Sequence, residues 1–294
     1  MRLIPKKGLL FFLMPGALFM VIFIVYPIIR MVYDSFFNIT STGNTNFVGF
    51  GNYIKAFTSA GITKQLINTV LYIIVAVSVE LLLGIIIALI FEKDYPGSKI
   101  IRSLFITPLM IAPLVAGLLW KLMLSANFGI VNQLLYRIGI LKQTTDVLWL
   151  ASSDYSLLAC CIADIWLTTP FMMMMILTGL QALDNDMLEA ASIDGADTLQ
   201  KIISIKLPNI KPILLTALSI RIIDAARTFD IIWAMTEGGP NKSSETLSIV
   251  IYKALTRYNK LGYASAMAII FIILLVIFTL TCMQSMWNPK KKLK

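Results

Sequence analysis

The feature that most restricts this chain is a succession of apolar runs, each about as long as a bilayer is thick. A spanning helix needs about 20 mostly apolar residues. Runs of that kind fall at about 8–31, 66–91, 100–124, 155–180, 210–235 and 263–287. The composition agrees: 58% of the residues are hydrophobic and 14% charged, where a soluble domain carries roughly 25% charged residues. The expected fold class is an all-α polytopic membrane protein with six transmembrane helices, argued with lipid as the solvent. The flank MRLIPKK resembles the start of a signal peptide, but the run after it is too long and lacks a small-residue cleavage site before Tyr26-Pro27, so a retained helix is expected.

What the chain lacks narrows the chemistry. It has no histidine, which removes the commonest general base and metal ligand. It has no CxxC pair and no P-loop, so it does not bind ATP by that motif. Cys160, Cys161 and Cys282 lie inside apolar runs and read as small packing residues, with no metal site expected. A net charge of +9 would suggest nucleic acid in a soluble protein. Here basic loops on the cytoplasmic face explain it better, and no nucleic-acid partner is expected. The chain is not expected to be an enzyme.

Loop charge predicts orientation. One set of loops carries Arg2, Lys6, Lys7, Lys93, Lys99, Arg102, Lys201, Lys206, Lys211 and the tail KKKLK. The opposite set carries the smaller group Lys55, Lys64, Arg137, Lys142, Lys242, Lys253, Arg257 and Lys260. The positive-inside rule places both termini, and the stretch Leu188–Pro208, in the cytoplasm. That stretch, LEAASIDGADTLQKIISIKLP, is polar between apolar runs. Asp186 with Glu189 three residues later predicts a helix start with Asp186 as its cap. Gly195 predicts its stop. Asp197 can cap a second short helix with Leu199, Ile202, Ile203 and Lys206 on one side, which Pro208 ends. Periodicity alone favours an ordinary helical connector covering the bundle.

The residues of this stretch say more. Glu189-Ala190-Ala191, then Gly195, then Ile205, Leu207 and Pro208 fill the pattern E-A-A-x3-G-x9-I-x-L-P, with Asp194-Gly195-Ala196 added. This resembles the EAA loop of binding-protein-dependent ABC importer permeases. WLTTPFMMM from Trp166 and FDIIWAMTEGGP from Phe229 extend the likeness to the larger permease subunit of the maltose and glycerol-phosphate class. The resemblance implies a type I ABC importer fold with a cytoplasmic coupling helix between helices four and five. It divides the chain into an N-terminal helix and extracytoplasmic segment (1–65), a type-1 permease core (66–288) and a basic cytoplasmic tail (289–294).

It also implies partners: a second homologous permease, two ATPase subunits that bind ATP and Mg, an extracytoplasmic solute-binding protein, a sugar, and lipid. No cofactor is implied in this chain itself, and the place is a bacterial inner or plasma membrane. Glu189, Ala190, Ala191, Asp194, Gly195, Ile205, Leu207 and Pro208 would couple to the ATPase. Gly238, Gly239 and Pro240 would meet the solute-binding protein, although the glycines also suit a plain tight turn.

Ionisable residues at membrane depth cost about 2.5–3.5 kcal/mol each on insertion scales unless paired or wet. Helix five carries Arg221, Asp224, Arg227 and Asp230. Steps of three residues turn each about 60° back from the last, so on a straight helix the four cannot line one cavity. Neighbours can pair, Arg221 with Asp224 and Arg227 with Asp224 or Asp230, so an intrahelical or interhelical ion-pair ladder stands beside a substrate role. Glu80 is expected to face one of the arginines. The family likeness implies sugar contacts at Asp164, Thr168 and Phe171, and at Arg221, Ala225 and Thr228, with Asp224 beside them. Arg221 departs from the small polar residue expected there and raises the possibility of an acidic sugar. The rival function is an ion-coupled secondary transporter using Asp164, Asp224 and Asp230.

Overall fold

The computed structural model describes residues 6–39, 45–58, 62–93 and 95–286. The basic tail and Arg2 lie outside these residues, as does the side chain of Cys282. Helices dominate. Four are long and apolar enough to cross a membrane, and up to six spans result if each of two bent pairs is one crossing. The chain is a multi-pass membrane protein.

Two compact units are present. One comprises Met1–Ile62 with Val250–Leu274, the other Thr63–Ile249 with Leu275–Lys294. In the first, α1 (Lys6–Met20) runs through a π-helical stretch at Val21–Val25 into α2 (Tyr26–Ser35). No residue of the apolar window Phe12–Ser35 is buried except at its C-terminal end, where Asp34 and Ser35 are. The hairpin β1 (Phe37–Ile39) and β2 (Thr45–Phe47) pairs antiparallel, with Phe37 opposite Phe47. It leads to α3 (Gly51–Thr58). Asn52 fastens this corner: its amide donates to the carbonyls of Ser35 and Phe37, both at 2.9 Å.

The second unit is the larger of the two. Its core helices are α4 (Ile62–Glu92), α5 (Ser98–Ile106), α6 (Pro113–Met123), α8 (Ser156–Gln181), α12 (Lys211–Ala226) and α13 (Asp230–Met235). Between α6 and α8 lies α7 (Ile130–Arg137). Asn132 pins its loop by donating to the carbonyls of Thr144 and Val147 and accepting from the Trp149 indole at 2.6 Å.

Two expected straight helices are broken. The third span bends by 100° between Ser98–Met110 and Pro113–Met123. Pro113 opens α6 and forces Ala112 before it into extended backbone (ψ 136°), which the helix cannot absorb. The fifth is interrupted at Arg227–Phe229. There the Thr228 carbonyl, left without a helical partner, accepts from the Ser248 hydroxyl at 2.9 Å. A freed backbone group at membrane depth needs such a partner. Ser248 belongs to α14 (Leu247–Thr256), after which α15 (Leu261–Met286) ends the described chain.

Close helix contact in this unit rests on glycine. A Cβ on Gly117 of α6 would lie 2.9 Å from the Ala234 Cβ and 3.2 Å from the Ile231 backbone on α13. Gly117→Val is therefore expected to cost about 1–3 kcal/mol through forced displacement of α13. Thermal unfolding of the purified complex in detergent measures it, and an unchanged midpoint would refute the contact.

Candidate functional site

The centre of the second unit is an ion cluster drawn from three helices. Glu80 sits on α4, Asp164 on α8 and Arg221 on α12. The Arg221 guanidinium donates from Nε to Glu80 Oε2 at 2.6 Å and from Nη2 to Glu80 Oε1 at 2.8 Å and Asp164 Oδ2 at 3.1 Å. The three side chains are 4%, 0% and 4% exposed. The Thr168 hydroxyl, on α8, lies 2.8 Å from Glu80 Oε1 and 2.7 Å from the Asp164 carbonyl.

Of the pairings open to Arg221, the one with Asp224 does not form, and the ladder is interhelical. Arg221 reaches across to α4 and α8, and its planar fork suits a two-oxygen grip on Glu80. Asp224 instead accepts from Arg227 at 2.6 Å, one turn along the same helix. Glu80 is an arginine partner as expected.

Beside this cluster opens a cleft of about 410 Å³. Its lining includes Asp164, Thr168, Arg221, Asp224 and Thr228 from the expected set, with Arg227, Phe229 and Asp230. The expectation that the helix-five charges could not share one cavity is thus overturned. It assumed a straight helix, and the break at Arg227–Phe229 restarts the helical phase before Asp230. Phe229, missed in the sequence, lines this cleft and stacks on Trp233 with ring centroids 5.6 Å apart and planes 18° apart. The polar run Arg227-Thr228 in mid-span was its available signal. Phe171 and Ala225 are outside the lining; Phe171 is half-buried and Ala225 is buried among core residues.

The polar stretch after α8 forms α9 (Asn185–Ile193). Asp184, not Asp186, is its cap, accepting from the Asp186 N–H at 3.0 Å. The helical dihedrals begin at Asn185, so Asp186 falls within the first turn, where its charge still opposes the positive helix end. Gly195 stands at φ +83°, a conformation that favours glycine and reverses the chain. Asp197 then caps the second helix through a reciprocal pair with Gln200, at 2.7 and 2.9 Å.

This second helix runs as α10 (Thr198–Gln200), a π-helical stretch Lys201–Lys206, and α11 (Leu207–Asn209). Pro208 sits in its last turn, and the chain bends by 68° into α12. Lys206 anchors the segment to the end of α4, donating to both Glu92 oxygens at 2.6 and 2.7 Å. Ile205 and Leu207 are half-buried and Ala191 is buried; Glu189, Ala190, Asp194, Gly195 and Pro208 are exposed. Ile193, Leu199 and Ile203 are also exposed, at 87%, 63% and 57%.

The loop of Gly238, Gly239 and Pro240 is more than a tight turn. Gly239-Pro240 is cis, and Gly238 is buried at φ +85°. Ser244 donates to the Gly239 carbonyl at 2.8 Å, Gln65 to Glu245 at 2.6 Å, and Asn68 to the carbonyls of Lys242 and Glu245 at 2.9 and 3.0 Å. The first of these bonds braces the loop internally, and the three from Gln65 and Asn68 fix it to α4.

Comparison with known proteins accords with this architecture. The chain is 35% identical over 260 residues to the sulfoquinovosyl glycerol transport system permease protein of Agrobacterium fabrum, covering 88% of this chain and 83% of that one. It is 34% identical over 282 residues to the trehalose/maltose transport system permease protein of Thermococcus litoralis, covering 95% and 93%. Among solved structures, a chain of a bacterial ABC transporter involved in the import of the acidic polysaccharide alginate superposes with a TM-score of 0.84 over 97% of this chain and 98% of that one. At 22% identity that likeness concerns the fold. Residues 80–292 match the model of one family over most of the chain. This protein belongs to the binding-protein-dependent transport system inner membrane components.

Proposed function

We propose that this chain is one of two membrane-spanning subunits of an ATP-driven sugar importer. A second homologous permease completes the pathway. Two cytoplasmic ATPase subunits, holding ATP and Mg, supply the free energy. An extracytoplasmic solute-binding protein delivers the substrate against the Gly238–Pro240 loop. Both termini and the α9 segment face the cytoplasm, consistent with their loop charge. The chain itself performs no bond chemistry.

The observation that carries the sugar reading is the cleft. It combines carboxylates and a threonine with a stacked aromatic pair, the mixture that accepts hydroxyl donors and covers an apolar sugar face. The two relatives named above transport a sulfoquinovosyl glycerol and trehalose or maltose, which supports the same class. The α9 segment supports coupling. It offers Glu189 as one directed charge, small residues for close approach and exposed Ile193, all held at a fixed elbow by Gly195.

The ion-coupled alternative is weaker on the same geometry. Asp164 is paired with Arg221 and Asp224 with Arg227, which leaves Asp230 as the one carboxylate of the three without an ion pair among the described residues, too few ligands for the cation site that reading needs.

Affinity purification of the tagged chain is expected to recover an ATPase and a second permease. Reconstituted uptake of a glycan is expected to require ATP and the solute-binding protein. Recovery of the chain alone, with uptake that follows an imposed ion gradient, would sink the proposal.

A further inference from the structure

We infer that the Lys206–Glu92 ion pair is the contact through which displacement of the α9–α11 segment reaches α4. Both are then positioning residues for transport. This rests on the coupling reading above. Across the elbow at Gly195, Lys201 Nζ donates to the Ser192 hydroxyl of α9 at 2.7 Å, which ties the two short helices together. Lys201 and Lys206 open and close one π-helical stretch, a wide turn often found at functional positions. Lys206 then grips both Glu92 oxygens at 2.6 and 2.7 Å, the two side chains being 15% and 17% exposed. A pair so far withdrawn from water is screened much less than a surface pair.

The route along the chain itself is softer. After Lys206 the chain bends by 68° into α12, and Ile210 at the corner leaves the helical dihedrals (φ −87°, ψ 4°). A push along the second helix can be absorbed there, whereas the ion pair lies ahead of the corner. Its far end is the last residue of α4, which runs 31 residues without a proline. The third span, by contrast, bends by 100°, and α8 holds Pro170. About three turns from Glu92, roughly 18 Å along α4, Glu80 holds Arg221 beside the cleft. At the other end of α4, Gln65 and Asn68 hold the loop of Lys242 and Glu245. Leu207 packs against the apolar cluster that includes Ala88 and Phe91 of α4. That contact has no direction; the charge-assisted bonds of Lys206 do.

The test uses the complete transporter with its ATPase subunits and solute-binding protein. Nitroxide labels are placed on α4 and on the second helix through Leu82→Cys and Ser204→Cys, both exposed positions, with Cys282→Ser. In the otherwise unaltered complex the distance between the labels is expected to stay the same when a Mg–ATP analogue binds. With Lys206→Met added, it is expected to change by about 2 Å, the scale of helix shifts in such transitions. In proteoliposomes with maltotriose as the probe, Lys206→Met is expected to raise the ATP hydrolysed per sugar carried about tenfold, the size of one charge-assisted bond. Lys206→Arg keeps the charge and is expected to keep the parent ratio. Lys206→Met with Glu92→Gln is expected to be no worse than either alone, as one shared contact requires. Should Lys206→Met fail to assemble, that double variant, which leaves no lone charge, carries both measurements. Label distances that respond to nucleotide alike with and without the pair, or Met and Arg variants equally impaired, would overturn the inference. Failure of the coupling reading is a distinct result: no ATPase recovered with the chain, or normal transport by the Glu189→Lys and Gly195→Val variants.

Discussion

Arg221→Met is expected to be the most damaging substitution at the centre of the membrane bundle. It leaves Glu80 and Asp164, 0% and 4% exposed, facing each other without their cation. Removing one partner of a buried pair costs about 3–5 kcal/mol, because the residual charge is uncompensated. Thermal unfolding of the purified complex should show a midpoint roughly 10 °C lower. Removing all three charges together, with Glu80→Met and Asp164→Leu added, is expected to recover most of that loss. Buried ion sets replaced by apolar side chains of similar volume are often neutral in stability. If the single variant unfolds with the parent protein, the triad does not hold the three helices together. If the triple variant unfolds as early as the single one, the damage is a packing defect and not an unpaired charge.

Glu189→Lys addresses the other end of the machine. Glu189 is exposed on α9 and no shape requirement holds it there, so the bundle is expected to fold and assemble as before. Under the coupling proposal its charge meets the ATPase. Truncating or reversing one partner of an interfacial charge pair costs about 2–5 kcal/mol. ATP-driven uptake should fall by at least about tenfold while the basal ATPase rate of the complex persists. Gly195→Val acts through geometry instead. At φ +83° a β-branched residue costs about 1–3 kcal/mol of backbone strain, and relief of that strain turns the second helix away from α9. Both variants transporting at the parent rate would remove α9 from the coupling route.

The two effects differ in how visible they were beforehand. The two short helices proposed to couple to the ATPase were legible in the linear chain because their elements are local. Asp197 and Gln200 cap one helix within a single turn, Gly195 stands where the reversal is needed, and the Glu189-to-Pro208 spacing is a property of one short segment. Even there the cap moved from Asp186 to Asp184: Asp186 has Glu189 three residues on and Asp184 has Met187, yet the backbone dihedrals start the helix at Asn185 and make Asp184 the cap. Arg221 shows the opposite case. Its nearest acid in the chain is Asp224, three residues away, yet its partners are Glu80 and Asp164, 141 and 57 residues away.

The amino-acid sequence by itself determined the solvent, the helical class, the number of possible crossings and the two short helices that meet at Gly195. Each follows from composition and spacing over at most a few turns. Only the tertiary structure decided which charges meet and what lines the cleft. A buried guanidinium takes the carboxylates that packing brings within about 3 Å, and packing is set by distant helices. The helix break at Arg227–Phe229 likewise depends on Ser248, which supplies a partner for the Thr228 carbonyl from another element. That break turns Asp230 and Phe229 into the cleft with Arg221, where a straight helix would have scattered them.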